Sequence, residues 1–178
     1  MRLTERAGDA VKGRYRDVVR GRGGEILADS GWRDNAIVLD CRRLLASLVA
    51  GAPAAGIQGI LVGAGLAAWD VNGPPAATDA QIALVDPAPF LLPAADLQID
   101  FLDNGNVSAT PTNRLQIVAS LGPGEPPWPD GSHIASSLRE FGLVAQLDGN
   151  PALINYVTHP VINKDPTSTL ERTLWLVF

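Results

Sequence analysis

Gly59-Ile60-Leu61-Val62-Gly63-Ala64-Gly65-Leu66-Ala67-Ala68-Trp69-Asp70 is the most apolar run of the chain. Gly63, Gly65 and Ala68 fit the spacing G-x-G-x-x-A, the glycine fingerprint of dinucleotide sites. A true site needs a long helix starting at the last small residue, so that its N-terminus faces the pyrophosphate. Here Gly73-Pro74-Pro75 stops the chain soon after Asp70, leaving room for two helical turns at most. Asp86 meets the acidic-residue test, but a carboxylate at one position is a common coincidence. The stretch therefore reads as a core strand whose glycines turn the chain into a Pro-rich loop, and a parallel βαβ fold is set aside.

Working backward, Tyr15 to Arg20 and Glu25 to Asp29 read as a hairpin around Gly21-Arg22-Gly23-Gly24. From Asp34 the apolar period changes to that of a helix, with Ile37, Cys41, Leu44, Leu45 and Leu48 on one face. Asp34 or Asn35 caps it and Gly51 with Pro53 ends it, so a helix is expected at about 34–50. Residues 1–13 read as an N-terminal arm and 14–178 as a single domain.

Working forward, Thr78-Asp79-Ala80-Gln81 matches a capping box and predicts a short helix. Pro87, Pro89 and Pro93 predict irregular chain after it. The pattern then turns to strands. Leu97, Ile99 and Phe101 alternate with polar residues, and Asp103-Asn104-Gly105-Asn106 is a turn, with Pro111 expected to prevent immediate re-pairing. Leu115–Leu121, Leu138–Leu147, Leu153–His159 and Leu170–Phe178 follow, with Asp148-Gly149-Asn150 as a hairpin turn. About six to nine strands separated by turns indicate a mainly β, α+β fold. The expected form is an antiparallel β-sandwich, jelly-roll-like, with one amphipathic helix packed on it.

The 178 residues are 46% apolar and 19% charged, with net charge -5, a balance that suits burial against partners. Arginines crowd the first 43 residues, but Asp9, Asp17, Glu25, Asp29, Asp34 and Asp40 are interleaved with them, so no nucleic-acid arm is read. The single Cys41 excludes an internal disulfide. The charged start reads as lacking a signal peptide, and no window is apolar enough for a membrane span. Synthesis and retention in the cytoplasm, or release within a larger particle, is the expectation.

No residue set defines a reaction. His133 and His159 are the only histidines, and neither sits in a G-x-S-x-G, H-E-x-x-H or C-x-x-C context. The reading is a non-enzyme without catalytic residues, metal ligands or cofactor. Four residues stand out as interface or binding candidates. Trp128 lies in the Pro/Gly-rich loop Pro123–Gly131 and Trp69 beside the other Pro-rich loop; each reads either as an exposed anchor for a neighbouring subunit or a glycan, or as a ring folded back onto the sandwich. Arg139 and Glu140 interrupt an apolar strand, where one of the two must point inward and find a partner within the chain or across a subunit boundary.

Three signals occur in a fixed order. First come the hairpin and the helix ending Leu44-Leu45-Ala46, then Ile60 to Gly65 with Asp79 and Leu84 after a Pro-rich spacer. Second is Leu138-Arg139-Glu140-Phe141-Gly142-Leu143. Third is His159 to Lys164, then Thr169-Leu170-Glu171-Arg172 and a strand ending at Phe178. This order resembles structural proteins of tailed phages and of phage-tail-like contractile injection particles, especially tail-fibre and collar-like proteins. The resemblance implies a β-rich structural subunit of a tail end, collar, baseplate or fibre attachment, working as a homo-oligomer through packing with other subunits. The alternative is a glycan- or cell-surface-binding module that uses exposed tryptophans.

Overall fold

Glycine and Asx turns set the hairpins of the computed structural model, which describes residues 11–178. The strand Lys12–Arg20 (β1) turns through Gly24, at φ +86°, into Ile26–Asp29 (β2). Asn104 and Gly105 (φ +49° and +84°) join Leu97–Asp103 (β6) to Asn106–Ser108 (β7). Asp148 and Gly149 (φ +50° and +76°) join Ser137–Leu147 (β9) to Asn150–Leu153 (β10). Two successive positive φ values suit the right-handed twist of a two-residue hairpin, and Asn-Gly and Asp-Gly supply them at low cost. The remaining strands are Arg33–Ile37 (β3), Ala54–Gly63 (β4), Phe90–Pro93 (β5), Arg114–Leu121 (β8), Asn155–Asn163 (β11) and Thr169–Val177 (β12). The helices are Leu39–Ala50 (α1) and the single turn Trp69–Asn72 (α2), with a 3₁₀ turn at Ala94–Asp96.

All strand pairs are antiparallel. One sheet runs β5-β4-β9-β11, with β10 also on β9; the other runs β1-β12-β8-β6-β7. β3 pairs β1 on one edge and β11 on the other, so the two sheets join through it. Ile60, Val62, Phe141 and Leu143 from the first sheet meet Ile117, Ala119, Leu121, Leu170 and Leu174 from the second, all buried in one core. Each of these side chains larger than alanine contributes about 1.5–3 kcal/mol on leaving water. This is the antiparallel, mainly β sandwich the alternation indicated. α1 packs on β4, β9 and β10 and buries Cys41 and Leu44, while Leu48 at the end of its apolar stripe stays exposed. Gly51 closes α1 in the left-handed region (φ +65°), with the Ala52 N–H bonded to the Ser47 carbonyl.

Four expectations about elements are corrected. α1 starts at Leu39 with Val38 as N-cap, not at Asp34 or Asn35, because residues 33–37 are a strand with partners on both edges. Pairing on two sides outweighs local helical period. Thr78–Val85 forms no helix: the Gln81 side chain bonds the Ala83 carbonyl, and the Val85 N–H that a helix would use goes to Glu140. The Pro-rich segment holds β5, an edge strand on β4 with Pro93 at its end, where no inward donor is lost. β7 pairs back on β6 directly after its turn, before Pro111 is reached. The first ten residues of the expected arm lie outside the described residues, and its last two begin β1.

Candidate functional site

The end of β4 carries the glycine motif, and the protein's own side chains fill the place a phosphate would take. The Ala64 N–H donates to Asp86 Oδ2 at 2.7 Å, and the Ala64 carbonyl accepts from Arg139 Nη1 at 2.8 Å. A Cβ on Gly63 would lie 2.8 Å from Glu140 Oε1 and 2.9 Å from Asp86 Cβ. Gly65 has φ +55°, and its missing Cβ leaves space for the Trp69 ring, which would otherwise sit 2.5 Å away. The helix that follows is one turn long. The motif is thus a close-approach device for backbone and carboxylates.

Arg139 and Glu140 occupy opposite faces of β9, and both are buried, because chain covers each face. Arg139 forms a two-pronged pair with Asp70 of α2, Nε to Oδ1 at 2.7 Å and Nη2 to Oδ2 at 2.6 Å. The hydrogen bonds from Arg139 hold the Asp70 carboxyl below its usual range. Glu140 accepts three bonds. The Asp86 N–H donates to Oε1 at 2.7 Å, and the Val85 N–H (3.0 Å) and Tyr156 hydroxyl (2.6 Å) donate to Oε2. Burial first, and the Glu140 carboxylate second, push the Tyr156 hydroxyl far up. Glu140 therefore pins the loop at Val85–Asp86 in place of a helix.

Asp86 carries the network onward. Its Oδ2 also meets His133 Nε2 at 3.0 Å, and His133 Nδ1 meets Asp130 Oδ1 at 2.8 Å. Both ring nitrogens therefore face carboxylate oxygens, which only accept. The Trp128 ring stacks on this imidazole, centroids 3.8 Å apart and planes at 19°. The Asp130 carboxyl is held low by the Ser132 N–H first, with His133 adding to it. The loop around Trp128 is further tied by Lys164 Nζ to the Gly122 carbonyl (2.7 Å) and the Ser136 hydroxyl to the Trp128 carbonyl (3.0 Å).

These contacts decide between the two readings of the tryptophans in favour of rings folded back onto the sandwich. Trp128 is a buried member of the core, and Trp69 is buried against Gly65. Neither offers an exposed face for a sugar. The half-buried tryptophans are Trp32 and Trp175, which stack on each other with centroids 4.4 Å apart.

A second buried cluster escaped the sequence reading. Arg172 is fully buried and forms a two-pronged pair with Asp17, both bonds at 2.7 Å, across 155 residues of sequence. Its guanidinium lies 3.6 Å over the centre of the Phe141 ring, a cation–π contact, and donates to His159 Nε2 at 3.1 Å. His159 Nδ1 faces the Pro160 carbonyl at 2.8 Å, so Nδ1 carries the proton and the ring is neutral. A signal was present: Arg172 shares the period-2 face of Leu170, Leu174 and Leu176, and that face points inward. Beside the cluster, between β2 and β11, opens a cleft of about 370 Å3.

In both clusters each ionisable side chain already has an intramolecular partner. Their chemical capacity is to fix loops against sheets. Among the described residues no group of three metal-binding side chains gathers, and no helix is long and apolar enough to cross a membrane. The surface carries the opposite kind of side chain: Ile134 is 99% exposed, Val49 91% and Val71 86%. No family model matches the chain, and neither a curated protein nor a solved structure does.

Proposed function

We propose that the chain is a structural subunit of a phage tail or contractile injection particle, acting through packing in a homo-oligomeric assembly. The observation that supports this is a set of charged side chains held inside beside apolar ones left outside. Arg139, Glu140, Asp86, His133, Arg172 and Asp17 are turned inward as clamps, while Ile134, Val49 and Val71 stand in solvent. Clamped loops keep a fixed surface shape, and fixed apolar side chains gain about 1.5–3 kcal/mol each when a neighbour covers them. The setting rests on the resemblance of the ordered sequence signals to those of tail proteins. The glycan-binding alternative loses its basis with the burial of Trp69 and Trp128.

The test is the mass of the purified protein in solution, by light scattering across a concentration series. A concentration-dependent oligomer that Val49→Asp with Ile134→Asp dissociates is the expected result. A wild-type protein that stays monomeric at the highest concentration reached refutes self-assembly.

A further inference from the structure

Two asparagines are followed by glycine, Asn72-Gly73 and Asn104-Gly105. In such a pair the glycine amide nitrogen can reach the asparagine side-chain carbonyl, because no Cβ on the following residue shields it. Both pairs are exposed, and among the described residues neither asparagine side chain makes a hydrogen bond. The other asparagines are held or blocked. Asn113, Asn155 and Asn163 spend their side chains on Phe178, Leu143 and Ser137. Asn150 precedes Pro151, which has no N–H, and Asn35 and Asn106 precede residues that carry a Cβ.

The fold holds the two pairs differently. Asn104 and Gly105 are the two-residue turn of the β6–β7 hairpin. The pairs Asp103↔Asn106, Leu102↔Val107 and Phe101↔Ser108 fix both ends of that turn, and Leu102 is buried. Swinging the Gly105 nitrogen onto the Asn104 side chain rotates the backbone between them and opens this ladder. Asn72 instead ends α2, a single turn with no side-chain cap. The Val71 and Asn72 N–H groups reach the Ala68 carbonyl only at 3.3 and 3.2 Å. The grip on α2 is at its start, where Trp69 is buried and Asp70 is clamped by Arg139. Gly73 has left the helix at φ +78° and ψ 150°; among the described residues its N–H meets no carbonyl, and a Cβ there would meet nothing within 4 Å. Rotation at Asn72 therefore frays a helix end already held by long bonds.

We propose that Asn72 is a site of spontaneous deamidation, and that the fold, not the dipeptide, sets it apart from Asn104. The Gly73 amide nitrogen gives up its proton to water and bonds to Asn72 Cγ. The Cγ–Nδ2 bond breaks, and the departing nitrogen takes up a proton and leaves as ammonia, so a five-membered cyclic imide remains. Water then opens the imide at either carbonyl, giving aspartate or isoaspartate. The net reaction consumes one water and releases one ammonia, with no change of oxidation state. The product carries a carboxylate beside Val71, which is 86% exposed, at the carbonyl end of α2, where negative charge is unfavourable. A surface that starts neutral and apolar there gains charge with age.

The test incubates the whole protein at mildly alkaline pH, with a parallel sample in guanidinium chloride, and follows both by peptide mapping in a mass spectrometer. Conversion at Asn72 and at Asn104 is scored by the gain of one mass unit and by the chromatographic separation of aspartate from isoaspartate peptides. In the folded protein Asn72 converts at least about tenfold faster than Asn104, the factor that about 1.4 kcal/mol of difference in local opening supplies. In the denatured chain, where neither turn nor helix remains, the two rates come within about twofold of each other. Conversion at Asn104 that keeps pace with Asn72 in the folded protein overturns the inference. So does a folded protein that keeps Asn72 intact while the denatured chain converts. A rate ratio that denaturant leaves unchanged overturns it as well, since the neighbouring sequence and not the fold would then set the site.

Discussion

Acidification should destabilise this protein through His159. The ring is buried, Nε2 accepts from Arg172, and Nδ1–H donates to Pro160. A second proton would have to sit on Nε2, facing a guanidinium. Burial first and Arg172 second bring the pKa down from 6.5 to about 4, against the smaller upward pull of Asp17. The sign follows from proton counting. Between 4 and 6.5 the unfolded chain binds a proton at this residue and the folded one does not, so stability falls as pH falls through that window. Each pH unit costs about 1.4 kcal/mol, so the full window removes about 3 kcal/mol, a large part of the 5–15 kcal/mol typical of a domain. Asp70, Asp130 and Asp165 are all held below 3.8 and contribute below this window, not within it. The assay is urea denaturation at a series of pH values for the wild type and His159→Gln. Glutamine keeps an acceptor for Arg172 and cannot gain the proton. The variant starts about 1–2 kcal/mol less stable at neutral pH, and the two curves converge and then cross as pH falls through the window. Parallel curves across the window would refute the argument, since every other titrating group is common to both proteins.

Two further outcomes test the clamps. Gly65→Ala places a Cβ 2.5 Å from the Trp69 ring at φ +55°, and should cost about 2–4 kcal/mol, read as a lowered urea midpoint with an unchanged slope. Asp17→Ala leaves Arg172 charged and unpaired in the core and should cost about 3–5 kcal/mol, whereas the double change Asp17→Leu with Arg172→Met should recover most of that loss in thermal melts.

Turn chemistry and period were legible where they act alone. The Asn104-Gly105 and Asp148-Gly149 turns, the Gly51 stop and the alternation in β6, β8 and β12 follow from residues a few positions apart. The expectation of an inward charge at Arg139–Glu140 came from the same alternation, and Arg139 has its partner in Asp70. What was not legible depends on distant chain. The helical stripe extends back to Ile37, but β1 and β11 claim residues 33–37. The capping box at Thr78 is intact, but Glu140, more than fifty residues on, takes the N–H groups that would have propagated it. Pro-rich flanks made Trp128 look like an exposed anchor. The imidazole it stacks on is held by Asp86, 47 residues away from His133, and nothing near Trp128 in sequence announces that.

The pairing of β1 with β12, register Lys12↔Val177 through Arg20↔Thr169, governs how the chain can reach this state. A ribosome releases β1 long before β12 exists, so the β1 edge stays open while the residues between them are made. β12 must then enter between β1 and β8, both already present. Such long-range pairing is slow, because loop closure comes before the contacts that reward it. The molecule's most vulnerable moment is therefore the interval before Thr169–Val177 inserts, when two unpaired edges invite pairing with another nascent chain.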